Sequence, residues 1–177
     1  MKDQPKLFIE GDSALRKGFH KLLKNEVTNM PRIVMGGSRD DTIRKFLNDP
    51  VSKSKYLLID LDETEKEKNK VLHQKKLNEF ENRSFFMIQE MEGWFFTHHN
   101  ILNQQWSTNA FDSYKAKKGI EINKPKKELI KVLNNKVHKR YNEINDAIDI
   151  LIKLDSIKLK ECADDFNNLV KLINQEI

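Results

Sequence analysis

The chain has 177 residues, of which 38% are hydrophobic and 33% are charged, and its formal net charge is +5. This composition predicts one soluble protein with a sizeable core, and no stretch approaches the roughly 18 to 20 apolar residues of a membrane span. The single cysteine, Cys162, excludes an intrachain disulfide and a thiolate metal site. The first residues lack the apolar core of a secretory signal, so we expect a cytoplasmic protein.

The amino-terminal half predicts alternating strands and helices. A first strand, Lys6-Leu7-Phe8-Ile9, ends in Glu10-Gly11, and Asp12 or Ser13 can cap a helix that runs to about Asn25. A second strand, Arg32-Ile33-Val34-Met35, is closed by two glycines, and Asp40 or Asp41 can cap the next helix. Strand followed by helix is the repeating unit of parallel α/β sheets.

The third strand carries the strongest functional signal. The apolar run Tyr56-Leu57-Leu58-Ile59 predicts a strand that is buried on both faces, and it ends in Asp60-Leu61-Asp62. Ligands of open α/β sheets bind outside the carboxyl ends of the strands. If this strand lies beside the strand that ends at Glu10, several carboxylates converge and need a cation. Carboxylate oxygens suit Mg²⁺ or Mn²⁺, so Glu10, Asp60 and Asp62 are the predicted metal ligands.

Acidic residues also follow the fourth predicted strand, Ser84-Phe85-Phe86-Met87-Ile88. Glu90 and Glu92 could complete the metal shell or act as a base. Two residues apart on a helix, they point about 200° apart, so we expect only one of them to face the metal. The charged segment 63–76, before this strand, predicts an exposed helix or a mobile excursion.

The remaining sequence predicts short helices and then longer ones. Positions 97–123 have weak periodicity. His98 and His99 would point about 100° apart on a helix, which is unfavourable for chelating one ion, so we expect surface histidines. From Lys126 onward, apolar residues recur at helical spacing.

Positive charge is concentrated in one part of the chain. Between Lys115 and Arg140 there are ten Lys or Arg against Glu121 and Glu128, a net +8, which leaves −3 for the rest of a chain whose total is +5. A basic segment beside an acidic cluster suits a protein that binds a phosphate backbone and hydrolyses it, although solvated lysine-rich helices are the alternative. The candidate nucleic-acid contacts are Arg16, Arg39, Lys124, Lys126, Lys127 and Arg140. We expect an α/β core over residues 1–114 and a basic helical extension over 115–177 packed on it.

These motifs resemble the Toprim domain, in which one strand ends in Glu-Gly and a later strand ends in Asp-x-Asp. The matching residues here are Glu10-Gly11 and Asp60-Leu61-Asp62. A fuller resemblance is to a Toprim-like family of unknown function, related to the overcoming-lysogenization-defect (OLD) nucleases, through Glu90-Met91-Glu92-Gly93-Trp94, Pro125-Lys126 and Phe166. It implies a Rossmannoid, mostly parallel sheet of about four strands flanked by helices, with a helical carboxyl-terminal extension.

The resemblance also implies an activity. It implies a Mg²⁺- or Mn²⁺-dependent nuclease in which Glu10, Asp60, Asp62, Glu90 and Glu92 form the catalytic site, with DNA favoured over RNA as substrate. Members of the family are often encoded beside an ABC-type or AAA-type ATPase in phage-defence loci, which implies an ATPase partner and an antiviral effector role.

The chain departs from the family pattern at two positions. Many relatives carry Glu or Asp where this chain has Ala14, so one metal is expected and a second remains open. The Lys that the pattern implies two residues after Tyr141 is Glu143 here. The departure at Ala14 makes a catalytically silent subunit, which binds a partner ATPase or nucleic acid, the alternative to an active nuclease.

Two other classes of protein place carboxylates after strands. A receiver-like phosphoacceptor would need Ser or Thr after the fourth strand, and Ile88-Gln89-Glu90 supplies neither. A haloacid-dehalogenase-like phosphatase carries Asp-x-Asp on its first core strand, whereas Asp60 follows two βα units.

Overall fold

The structure, a computed structural model, describes residues 4–50 and 54–176. The prediction that the first residues carry no secretory signal includes residues 1–3, which lie outside the described ranges. No helix in the described part of the chain is long and apolar enough to cross a membrane.

Four strands form one sheet in which every pair is parallel. They are β1 (Lys6–Ile9), β2 (Arg32–Met35), β3 (Lys55–Asp60) and β4 (Ser84–Met87), in the order β2-β1-β3-β4. The predicted α/β fold with a parallel sheet of about four strands is therefore confirmed. The chain passes from β1 to β2 on one side of β1 and then returns to β3 on the other side. The topological switch point therefore lies between β1 and β3, the two central strands.

Nine α-helices lie in the described ranges. Their bounds are α1 (Arg16–Leu23), α2 (Arg39–Asn48), α3 (Lys68–Gln74), α4 (Glu92–Phe96), α5 (His99–Trp106), α6 (Pro125–Val132), α7 (Asn145–Lys153), α8 (Ser156–Cys162) and α9 (Asp164–Gln175). Asp12 caps a short 3-10 turn ahead of α1, as predicted. The cap of α2 is instead Ser38, whose hydroxyl accepts from the backbone N–H of Asp41.

Helices cover both faces of the sheet, and alternate residues of its strands point to opposite faces. Leu7, Ile9 and Leu58 belong to the larger apolar cluster, together with α1 and the helices from α4 to α9. Phe8 and Leu57 belong to a second cluster, with α2 and α3. The continuous apolar sequence of β3 follows directly from this double burial.

One expectation about exposure is confirmed and another is wrong. The segment 63–76 is mostly exposed and contains α3, as predicted, and Val71 and Leu72 anchor it in the second cluster. His98 is 3% exposed, and its Nε2 accepts from the backbone N–H of Asp155 at 3.1 Å.

The carboxyl-terminal helices cover the sheet on the side of α1. Helix α7 packs on α1, and α9 packs on the edge strand β4. The Asp165 carboxylate accepts from the backbone N–H of Phe86 at 2.7 Å and from Lys68 Nζ at 2.7 Å, so it satisfies a donor on this edge. The boundary proposed at residue 115 stays a prediction.

Candidate functional site

Glu10 and Asp60 meet where the two central strands end. Strands β1 and β3 are paired so that Ile9 lies opposite Leu58, and the chain continues into Glu10 on one strand and to Asp60 on the other. One oxygen of the Glu10 carboxylate accepts from the backbone N–H of Asp60 at 3.0 Å. The parallel register thus brings two acidic side chains to the switch point.

Asp60 and Asp62 are held by different contacts. Asp60 Oδ1 accepts from the backbone N–H of Met91 at 2.9 Å, in the turn after β4. Asp62 has a left-handed backbone with φ of 59°, and its N–H donates to the carbonyl of Gln89 at 2.7 Å. Its carboxylate pairs with Arg39 Nη1 at 2.7 Å, at the start of α2. The loops after β3 and β4 are therefore joined by backbone bonds at the site.

Burial and nearby negative charges raise the pKa values of Glu10 and Asp60. The pKa of Glu10 is raised to about 7, chiefly by burial, and the nearby charge of Asp62 adds to the effect while the N–H of Asp60 opposes it. The pKa of Asp60 lies well above its ordinary value because of burial and then the charges of Glu10, Glu92 and Asp62. A group of carboxylates that hinder each other's ionisation favours binding of a proton or a cation.

Glu90 and Glu92 have different roles, although both line the cleft. Glu90 Oε2 accepts from the backbone N–H of Lys126 at 3.0 Å, in the first turn of α6. Glu92 is 5% exposed, and one of its oxygens accepts from the Tyr141 hydroxyl at 3.0 Å. Burial raises the pKa of Glu92, against the effect of hydrogen bonds from its own backbone and from Tyr141. Of this pair, Glu92 is the acid whose charge acts on Asp60.

The acids line one cleft with a volume of about 480 Å³. Part of its wall is backbone, because Gly11 and Gly37 exchange two N–H to carbonyl bonds of 2.8 and 3.1 Å. Both glycines have positive φ, 127° and 89°, which other residues rarely adopt. All five predicted catalytic residues are among those that line the cleft, which are Glu10, Gly11, Asp12, Leu15, Gly37, Asp60, Asp62, Met87, Glu90, Met91, Glu92, Lys126, Glu143 and Ile144.

The structure brings some of the predicted basic residues to this cleft and leaves others elsewhere. Lys126 lines the cleft, and its ammonium pairs with Glu143 at 2.6 Å. Arg39 lies beside the cleft, because its guanidinium group pairs with Asp62, a lining residue. Lys124, Lys127 and Arg140 are exposed, whereas Arg16 lines a separate cavity.

Sequence reasoning missed two residues that shape this site. Gln89 Oε1 accepts from the backbone N–H of Lys124 at 2.7 Å, so Gln89 and Glu90 together tether the start of α6 to the turn after β4. Tyr141 orients Glu92 from a position far along the chain. No local pattern marks either residue, because each contact joins segments more than thirty positions apart.

The donor set agrees in chemistry with a hard cation. Each of Glu10, Asp60 and Asp62 has one oxygen bonded to a protein donor, and the other oxygen makes no hydrogen bond to a residue in the described ranges. Such anchored carboxylates are the ligand type that Mg²⁺ or Mn²⁺ prefers. Within the described ranges, however, no three His, Cys, Asp or Glu side chains are already arranged to hold a metal ion.

Comparisons with known proteins do not extend these observations. A scan against models of protein families found no match to this chain, and searches of curated proteins and of solved structures found none either. The resemblance to Toprim-like proteins through Glu10-Gly11 and Asp60-Leu61-Asp62 therefore stays a prediction.

Proposed function

We propose that this chain is a metal-dependent nuclease of Toprim type, which hydrolyses phosphodiester bonds. The observation that carries the proposal is the contact between Glu10 and the backbone of Asp60 at the switch point of a parallel sheet. This is the location where open α/β sheets bind ligands, and it is lined by acids whose burial favours a counter-ion. The order of the motifs, Glu-Gly after β1 and Asp-x-Asp after β3, supports the same assignment.

Glu10, Asp60 and Asp62 would hold Mg²⁺ or Mn²⁺, each through the oxygen that has no partner among the described residues. When bound, the ion would polarise a phosphate and stabilise negative charge that develops on its oxygens. The contacts from Asp60 N–H and Met91 N–H fix two of these carboxylates beforehand, which reduces the reorganisation that binding requires.

The chain's own residues supply the remaining functions. Glu92 is a candidate general base, because burial raises its pKa and Tyr141 fixes its orientation. Lys126 is placed in the cleft by the tether of α6 to Glu90, where its ammonium can contact a phosphate after leaving Glu143. Arg39 can do the same after leaving Asp62. Contacts between basic side chains and the phosphate backbone of a nucleic acid make binding weaken steeply as the salt concentration rises.

The proposal extends to partner and pathway through the family resemblance alone. We propose that the chain is the effector subunit of an ATPase-associated system of phage defence, with DNA favoured over RNA as its substrate. The net charge of +8 between Lys115 and Arg140 supports contact with a nucleic-acid backbone.

A catalytically silent subunit is the second candidate, and two observations favour it. Arg39 occupies one oxygen of Asp62, and Ala14 contributes no carboxylate in the turn after Gly11. Such a subunit would keep the fold and bind a partner ATPase or nucleic acid without cleaving it.

Asp60→Asn tests the proposed function, with Glu63→Gln as the matched control. Asn can still accept from Met91 N–H, so the fold should survive, while the control removes an exposed carboxylate in the same loop. Thermal stability is measured with and without millimolar Mn²⁺. A ligand at about a hundredfold excess over its Kd adds about 2.7 kcal/mol to the free energy of unfolding.

We expect Mn²⁺ to raise Tm for the native chain and for Glu63→Gln, and not for Asp60→Asn. Cleavage of labelled single- and double-stranded DNA and RNA should then follow the same pattern. A rise in Tm without cleavage, in the presence of the partner ATPase, would favour the silent subunit. Equal rises in all three proteins would refute a metal site at Asp60.

A further inference from the structure

A second cavity, of about 470 Å³, lies apart from the acidic cleft. It is lined by the first residues of β2, by one side of α1 and by the segment that leads into β2. The two cavities share no lining residue. The proposed metal site does not explain this cavity.

Its polar lining residues are Gln4, Arg16, His20 and Arg32, of which the two arginines are positively charged. Arg16 and His20 are one turn apart on α1, and Arg32 is the first residue of β2. No Asp or Glu is among the lining residues, which come from the described part of the chain. Two positive charges that line one cavity without an acid favour an anion.

The contacts of these side chains differ from those of other basic residues in the described ranges. Lys6 pairs with Asp49 and Arg83 pairs with Glu176, each at 2.7 Å or less. By contrast, Arg16, His20 and Arg32 make no side-chain hydrogen bond or ion pair with any residue in the described ranges. Among the described residues, therefore, no acceptor competes with a ligand for the donors of the two guanidinium groups and the imidazole ring.

The rest of the lining is apolar. Met30, Pro31, Ile33 and Val34 form this part, and Pro31 and Ile33 are buried. The Gln4 amide donates to the carbonyl of Met30 at 3.2 Å and connects the segment before β1 to the segment before β2. A cavity of this volume with a cationic side and an apolar side suits a small ligand that has both an anionic group and a ring.

We propose that this cavity binds a nucleotide unit, with its phosphate on Arg16 and Arg32 and its base against the apolar side. Guanidinium groups match phosphate because they donate two parallel hydrogen bonds. The unit comes either from a free mononucleotide or from a nucleic-acid strand, and both sources present the same phosphate chemistry. The site stands independently of the proposed metal site.

Binding of adenosine 5′-monophosphate, adenosine and a fluorescein-labelled single-stranded oligonucleotide tests this proposal. The variants are Arg16→Ala and Arg32→Ala, and the matched control is Lys21→Ala, which removes an exposed positive charge from the same helix outside the cavity. We expect each arginine variant to weaken nucleotide binding about tenfold, as the loss of a charge-assisted hydrogen bond does. Arg32→Lys, which keeps the charge and loses the planar fork, should lie between native and Arg32→Ala.

The pattern of binding separates the two sources. If the monophosphate binds more tightly than adenosine, and its binding weakens in both arginine variants, the ligand is a free nucleotide. If only the oligonucleotide binds, and its binding weakens in Arg32→Ala, the ligand is a nucleic-acid strand. The proposal is overturned if Arg32→Ala and Lys21→Ala bind equally well, if adenosine binds measurably and as tightly as its monophosphate, or if the native chain binds neither the monophosphate nor the oligonucleotide. All binding is measured with a chelator present, so failure of the proposed metal site would leave this result unchanged.

Discussion

Substituting Glu10 with Gln should make the protein more stable at alkaline pH. The ordinary pKa of this carboxyl is 4.5, and burial raises it to about 7 in the folded chain. The folded state therefore holds the proton more tightly than the unfolded state. This contribution to stability is complete below the unfolded pKa and is lost as pH rises through the folded pKa.

The magnitude follows from the two pKa values. Each unit of pKa corresponds to about 1.4 kcal/mol, so the rise from 4.5 to about 7 amounts to about 3.5 kcal/mol, which the partial exposure of Glu10 to solvent reduces to about 3 kcal/mol. Gln has no charge to bury and can still accept from the backbone N–H of Asp60. Glu10→Gln should therefore match the native chain near pH 4 and exceed its free energy of unfolding by about 3 kcal/mol near pH 8.5. In a protein of this size, that corresponds to a rise in Tm of about 6–12 °C.

Urea unfolding followed by circular dichroism, in the presence of a chelator, measures this difference at both pH values. Glu63→Gln, which changes an exposed carboxylate nearby, should follow the native pH dependence. If the stability curves of native and Glu10→Gln stay parallel across this range, Glu10 is not buried among acids. The electrostatic basis of the proposed site would then be refuted.

Two further predictions concern contacts between distant segments, and urea unfolding at neutral pH measures both. Glu90→Ala removes the acceptor for Lys126 N–H at the start of α6 and should cost about 1 kcal/mol, whereas Glu90→Gln keeps an acceptor and should cost less. If the two variants lose equal stability, the carboxylate charge rather than the cap is important. Asp165→Ala leaves Lys68 and the N–H of Phe86 without an acceptor and should cost about 3 kcal/mol, while Asp165→Asn should cost clearly less. Indistinguishable stability of Asp165→Ala and the native chain would contradict this role.

The strands could be predicted because their signal is local. Strand β3 must be apolar along its whole length when helices cover both faces, and its observed bounds, Lys55–Asp60, agree with the predicted run. Strands β1 and β2 also begin and end where the sequence indicates. Strand β4 ends one residue earlier than predicted, at Met87.

The acidic site was partly predictable for the same reason. Parallel strands present their carboxyl ends on one edge, so acids after two neighbouring strands must lie near each other. The sequence pattern could not predict that β1 and β3 are neighbours in the sheet. The pairing of β1 with β3 depends on the whole order of the sheet.

Contacts between distant segments determine the hydrogen-bond partner and the burial of each acidic residue. Glu90 and Glu92 look alike in sequence, yet one caps α6 and the other accepts from Tyr141 in a buried setting. Arg39, a predicted nucleic-acid contact, pairs with Asp62 in this structure, a contact that no local pattern indicates. His98 was expected at the surface and is buried against the start of α8.

The sequence by itself determined the strands, the acids that follow them and the concentration of positive charge between Lys115 and Arg140. Each of these depends on residue type and on neighbours within a few positions. Only the tertiary structure decided which acids meet, which donor each carboxylate accepts from and that Arg16 and Arg32 line one cavity. Those properties depend on backbone groups and side chains brought together from distant positions, and such pairs have no local pattern in the sequence.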